Sequence, residues 1–225
     1  FFNNQSCLET FATFRKKEPI HKENLNLYDQ FLYNFDANYY DKFSYLFETQ
    51  KPEVVINCIG IVKQIKSSND ISSVLPINSI FPHKIASICQ NFNIRFIQIS
   101  TDCVFDGSKG MYSEEDYTNA KDLYGISKAL GETHKYFPNS LTIRTSTVGP
   151  ELSTNNGLLN WFLSQSEPIK GYKKAIFSGL TTNELAKVIF RYVLPMKNLN
   201  GLYHISANPI NKFELLNLFA KYYKK

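Results

Sequence analysis

The run Val54-Val55-Ile56-Asn57-Cys58-Ile59, bounded by Pro52 and Gly60, limits the possible folds more than any other stretch of the chain. A strand with one face in water alternates apolar and polar residues. A nearly continuous apolar run suits a strand covered on both faces, as in a parallel sheet. Leu8 to Phe14, Phe31 to Phe35, Arg95 to Ser100 and Leu141 to Arg144 read as further strands. Helical patterns lie between them, at Asn38 to Gln50, Ser79 to Asn91 and Leu123 to Tyr136. In the first of these, Tyr39, Phe43, Leu46 and Phe47 share one face. This alternation predicts a doubly wound, Rossmann-like α/β parallel sheet. Ligands of such sheets bind beyond the carboxyl ends of the strands. Chemistry is therefore expected just after Ile59, just after Ile99 and near Arg144.

The pattern changes after Gly149, which divides the chain into residues 1–149 and a smaller portion, 150–225, interleaved with the first. In the second portion, helices are expected over Gly157 to Gln165, Thr182 to Leu194 and Lys212 to Tyr223. Lys173 to Gly179 reads as irregular or extended, and Gly201 to Ile205 as a short strand.

The charge balance, +5 over 225 residues, is mild and the basic residues are scattered apart from Arg15-Lys16-Lys17 and Lys224-Lys225. A nucleic-acid surface is normally a denser basic stripe, so none is expected. No apolar run approaches the roughly 20 residues needed to span a bilayer, and the first residues show no signal-like pattern. The four cysteines form no C-x-x-C pair and have no His at metal-ligand spacing, which points to reduced thiols in a cytoplasmic protein and to no metal site. The chain starts without Met, so it is expected to begin mid-protein.

Two motifs carry the chemistry. Ser100-Thr101-Asp102 follows directly on a strand, where hydroxyls can point into the ligand crevice; the same cluster would also suit a turn or a helix cap. Tyr124-x-x-x-Lys128 places a phenol and an ammonium on one face of a helix. A nearby positive charge favours phenolate, so Lys128 is expected to lower the Tyr124 pKa and make the phenol a usable general acid. Each motif alone is weak; a strand ending in Ser-Thr-Asp, then a loop, then Tyr-x-x-x-Lys opening a helix is specific.

With these stand Cys103-Val104-Phe105-Asp106-Gly107, Tyr112-x-Glu114-x-Asp116, Gly131-Glu132, Arg144-Thr145-Ser146, Ile176 to Thr182 and Gly201 to Ala207. Together they resemble the dTDP-4-dehydrorhamnose reductase family of the extended short-chain dehydrogenase/reductases, from about Thr10 to Phe219. The resemblance implies an oxidoreductase that uses NADPH or NADH to reduce a nucleotide-linked 4-keto-6-deoxy sugar for cell-surface polysaccharide. It implies that Tyr124 protonates the sugar carbonyl oxygen and that Lys128 holds the nicotinamide ribose. Thr101, with Asp102 beside it, would bind the substrate oxygen. Asp36 and Ala37 match the place where adenine is held, and Gly60, Ile61 and Val62 the turn under the cofactor. Arg15 falls where a ribose 2′-phosphate would lie, which favours NADP. Asn78 resembles a position that ties down neighbouring backbone. A nucleotide-sugar is the partner implied; a homodimer stays open. His83 and His204 read as structural, and Trp161 and Phe162 as core or sugar-pocket residues.

The sequence departs from that pattern in three places. The family's first strand and its Gly-rich turn are absent, and Phe1 to Asn4 match the tail of the helix that would follow them. The chain is therefore expected to be a fragment or functionally degraded, and to bind a dinucleotide poorly as it stands. Thr147 stands where rhamnose-pathway enzymes carry a tryptophan against the sugar, and Asn57 to Gln64 replaces their alanine-rich turn, so the sugar need not be rhamnose. Other readings are an epimerase or dehydratase of the same fold and a non-catalytic regulatory subunit. Cys103, where dehydratases carry a glutamate, argues against dehydration. The intact Thr101, Tyr124 and Lys128 argue against a non-catalytic role.

Overall fold

A computed structural model describes residues 7–15, 30–151 and 154–225. Phe1 to Asn4 and the basic pair Lys16-Lys17 lie outside the described residues. Strands β3 (Val54–Asn57), β4 (Arg95–Thr101), β5 (Ser140–Thr145) and β9 (Gly201–His204) form one parallel sheet in the order β3-β4-β5-β9. Strands β1 (Phe11–Phe14) and β2 (Gln30–Tyr33) form a separate parallel pair with no ladder to β3. Short pairs join β6 (Thr147–Val148) to β8 (Leu180–Thr181), and β7 (Ile176–Phe177) to β10 (Ile210–Asn211).

Apolar residues cover both faces of the sheet, as the Val54–Ile59 run requires. Val55 and Phe96 point into a core with Phe43 and Phe47 of helix α1 (Asp41–Gln50) and Phe81, Ile85 and Cys89 of α3 (Phe81–Asn91). Val54, Ile56 and Ile97 point the other way, to Leu185 of α6 (Thr182–Val188) and to Ile189 and Val193 of its continuation. Successive residues thus feed opposite cores, the period of two that a pleated strand imposes. Asn57, the polar member of the apolar run, is buried and donates from Nδ2 to Gln98 Oε1 at 2.8 Å, its register partner on β4. Strand β9 and helix α6, both beyond residue 150, join this sheet and its second core.

Helix boundaries differ from the sequence reading where the backbone is constrained. Helix α2 (Ile71–Leu75) runs into α3 through a π turn at Pro76–Ile80, so the helical segment begins well before Ser79. Proline lacks the amide needed for an interior helical bond, and a widened turn accommodates it. Helix α4 (Leu123–Leu130) stops short of Tyr136. It ends at Gly131, where a Cβ would stand 2.0 Å from the Asn78 carbonyl oxygen. Only glycine lets the end of α4 come that close to the π turn. The later helices α5 (Leu158–Ser164) and α7 (Lys212–Tyr223) fall where the sequence places them.

Candidate active site

The site is built where β4 ends and α4 begins. The side chain of Asp122 accepts from the Gly125 amide at 3.1 Å and starts α4 as its N-cap. Lys63, on the loop after β3, donates to the other Asp122 oxygen at 3.1 Å. Thr101, buried at the end of β4, accepts from the Cys103 amide at 3.1 Å and donates to Asp102 Oδ1 at 3.1 Å. Its side chain also lies close enough to the Tyr124 phenol to favour the phenol's charged form. One turn along α4, Lys128 is buried and donates from Nζ to the Ile99 carbonyl at 2.8 Å. Thr101, Tyr124 and Lys128 therefore meet at one strand end.

The electrostatics correct one expectation. The Tyr124 phenol is not lowered toward neutrality; it is pushed up to about 12. Burial is the main cause. The Thr101 side chain works against it, and Cys103, Asp102 and Asp122 add to it. Lys128 is itself brought down to about 8 by burial, against the opposing pull of Cys58 and Glu132. Burial also raises the Cys103 thiol, with Asp102 adding to the effect.

The turn after β3 lies beside this group. A Cβ on Gly60 would sit 3.7 Å from Lys128 Nζ and 3.4 Å from Asn78 Oδ1. Asn78 clamps the turn: its Oδ1 accepts from the Ile61 amide at 2.7 Å, and its Nδ2 donates to the Ile61 carbonyl at 3.0 Å. The same Nδ2 lies 3.1 Å from Ser127 Oγ and so ties the turn to α4. Val62 is exposed. These residues fit a dinucleotide, because a fixed backbone turn runs beside a lysine with only one of its three donors engaged by Ile99.

Other expected positions are spread more widely. Arg15 is exposed at the end of β1. Asp36 Oδ1 accepts from the backbone and side-chain amides of Asn38, at 2.9 and 3.0 Å. The Ala37 methyl is packed in the α1–α3 core. Thr147 is exposed on β6. His83 lies 2.8 Å from the Leu130 carbonyl, and His204 lies 3.3 Å from Arg144 Nη1. A concavity of about 320 Å³ lies behind α4, lined by Val104, Ile126, Leu130 and Tyr136 among others; Thr101, Tyr124 and Lys128 take no part in it. Among the described residues no group of three or more His, Cys, Asp or Glu could hold a metal, and no helix is long and apolar enough to cross a membrane.

The sequence reading gave no role to Glu132, Cys58, Lys63 or Asp122. Glu132 had a signal, since it continues the four-residue spacing of Tyr124 and Lys128.

Residues 10–224 match the family described as the RmlD substrate binding domain. The chain belongs to that family. One relative, the dTDP-4-dehydrorhamnose reductase of Aggregatibacter actinomycetemcomitans, is 27% identical over 172 residues, 73% of this chain and 58% of that protein. The chain thus spans less than two thirds of that relative's length. The fold is similar to that of a hypothetical dTDP-4-dehydrorhamnose reductase from Sulfolobus tokodaii, with a TM-score of 0.76 at 24% identity. That match covers 95% of this chain and 82% of the other. A dTDP-4-dehydrorhamnose reductase from Bacillus anthracis, solved in complex with NADP, gives a TM-score of 0.77 at 21% identity and covers 95% and 80%.

Proposed function

We propose that the protein reduces the 4-keto group of a nucleotide-linked 6-deoxyhexose, with NADPH or NADH as reductant, in the synthesis of cell-surface polysaccharide. The observation that carries this reading is the meeting of Thr101, Tyr124 and Lys128 at the end of β4, beside the clamped turn Gly60 to Val62. The family membership and the names of the relatives support the substrate class.

A reduced nicotinamide supplies the hydride. The chain's residues do the rest. Tyr124, protonated throughout the physiological range, donates its proton to the carbonyl oxygen as that oxygen gains charge. Thr101, whose single proton goes to Asp102 Oδ1, turns that proton to the same oxygen when the sugar binds. Lys128 turns its two remaining donors to the ribose hydroxyls. Gly60, Ile61 and Val62 pass under the cofactor, with Asp36 and the Ala37 backbone toward the adenine. Arg15, exposed at the end of β1, favours the 2′-phosphate and hence NADPH. Residues 1–149 serve the dinucleotide, and residues 150–225, with Thr147 near their edge, serve the sugar. Cytoplasmic residence, where sugar nucleotides and reduced thiols occur together, belongs to the same reading.

Reduction is favoured over dehydration because Cys103 remains a neutral thiol and offers no second carboxylate. Incubation with NADPH deuterated at C4 and a nucleotide-linked 4-keto-6-deoxyhexose tests the reading. Deuterium at C4 of the product sugar is expected. An epimerised or dehydrated product without deuterium would overturn it.

A further inference from the structure

Three consecutive residues of β4 are each held by a residue four further along α4 or its terminal turn. Thr101 stands against the Tyr124 phenol, Ile99 accepts from Lys128 at 2.8 Å, and Ser100 Oγ donates to Glu132 Oε1 at 3.0 Å. Glu132 is the third rung of this ladder, and β5 anchors it. Arg144 Nε reaches Glu132 Oε1 at 2.7 Å and Nη2 reaches Oε2 at 2.8 Å, a two-pronged pair with 2% and 4% of the residues exposed. Arg144 is held in turn. Its guanidinium lies 5.0 Å from the centre of the Phe105 ring, and Nη1 lies 3.3 Å from His204 Nε2. The His204 amide donates to the Glu114 carboxylate at 2.6 Å.

Burying two charges costs several kcal/mol of desolvation, and an apolar pair of the same volume stabilises a core about as well. Stability alone therefore does not account for this pair. Resting on the function proposed above, we infer that Glu132 and Arg144 are positioning residues: they set the register of β4 against α4 and so hold Thr101 and the Lys128 ammonium where the reaction needs them. Around Lys128 the titratable groups are Tyr124 one turn earlier, Cys58 after β3 and Glu132 one turn later, while β4 contributes the Ile99 carbonyl. Glu132 is the carboxylate among them, and it favours the charged form of Lys128.

Competitive acetylation of Lys128 across pH 6–11, read by mass spectrometry on the intact protein, tests the inference without an activity assay. In Glu132→Gln the labelling curve should move to lower pH, with more labelling at pH 7 than in the unsubstituted protein, because a carboxylate that favours the charged form of Lys128 is gone. Because Glu132→Gln leaves Arg144 buried without its partner, Glu132→Gln/Arg144→Met serves as the second variant and should show the same displacement. An unchanged labelling curve in a folded variant overturns the inference. So does loss of folding in both variants, which would make the pair purely structural. A displaced curve in a protein whose Tyr124→Phe variant reduces the sugar normally would leave the positioning role intact and remove the catalytic reading.

Discussion

The Lys128 ammonium donates to the Ile99 carbonyl at 2.8 Å, so its direct partner in the described structure is the strand and not the Tyr124 phenol. Lysine at this position acts first on the backbone of β4. Its burial opposes its charge and brings its pKa down to about 8.

That depression has a sign that thermal unfolding can read. Between about pH 8, where folded Lys128 loses its proton, and 10.5, its ordinary value, the unfolded chain binds more protons than the folded one. The contribution of Lys128 to stability therefore rises with pH across that window and is least favourable below it. Lys128→Met, which removes the buried charge, should stabilise the protein by about 1–2 kcal/mol at pH 7, after the loss of the Ile99 hydrogen bond. The gain should shrink as pH rises toward 10.5. A gain that grows with pH in calorimetry would contradict this account.

Gly131→Ala should be costly. Its Cβ would stand 2.0 Å from the Asn78 carbonyl oxygen and 3.1 Å from the Asn78 carbonyl carbon, both backbone atoms. The end of α4 must then move away from the π turn, for about 2–3 kcal/mol of stability. Urea unfolding measures it, and a midpoint equal to that of the unsubstituted protein would show that this approach is not tight.

Cysteine reactivity should separate core from surface. Cys89 is fully buried and its thiol is pushed up to about 12 by that burial, whereas Cys7 is exposed. Iodoacetamide at pH 8 should modify Cys7 and spare Cys89 until urea unfolds the chain. Equal rates at the two sites would mean that the core around Cys89 opens readily.

Much of this arrangement was legible in the sequence because a buried parallel sheet leaves a strong trace. The Val54 to Ile59 run and the Phe96/Ile97 alternation follow directly from cores on both faces. The meeting of Thr101, Tyr124 and Lys128 at one strand end was legible because Tyr124 and Lys128 repeat with the helix and Thr101 ends a strand. The π turn at Pro76–Ile80 was not, because Pro76 signals an interruption of the helix but not that the chain stays helical through it. The direction of the Tyr124 pKa was also hidden. Helical spacing reveals that a lysine is near, but not that the phenol is buried among Asp102, Asp122 and Cys103 while the lysine is engaged with a carbonyl.

The most direct test is the steady-state rate of NADPH oxidation with a nucleotide-linked 4-keto-6-deoxyhexose, measured for the protein and for Tyr124→Phe. Loss of the proton donor should lower kcat roughly 10²- to 10⁴-fold with folding unchanged. Equal and measurable rates for the two proteins would contradict Tyr124 as the acid.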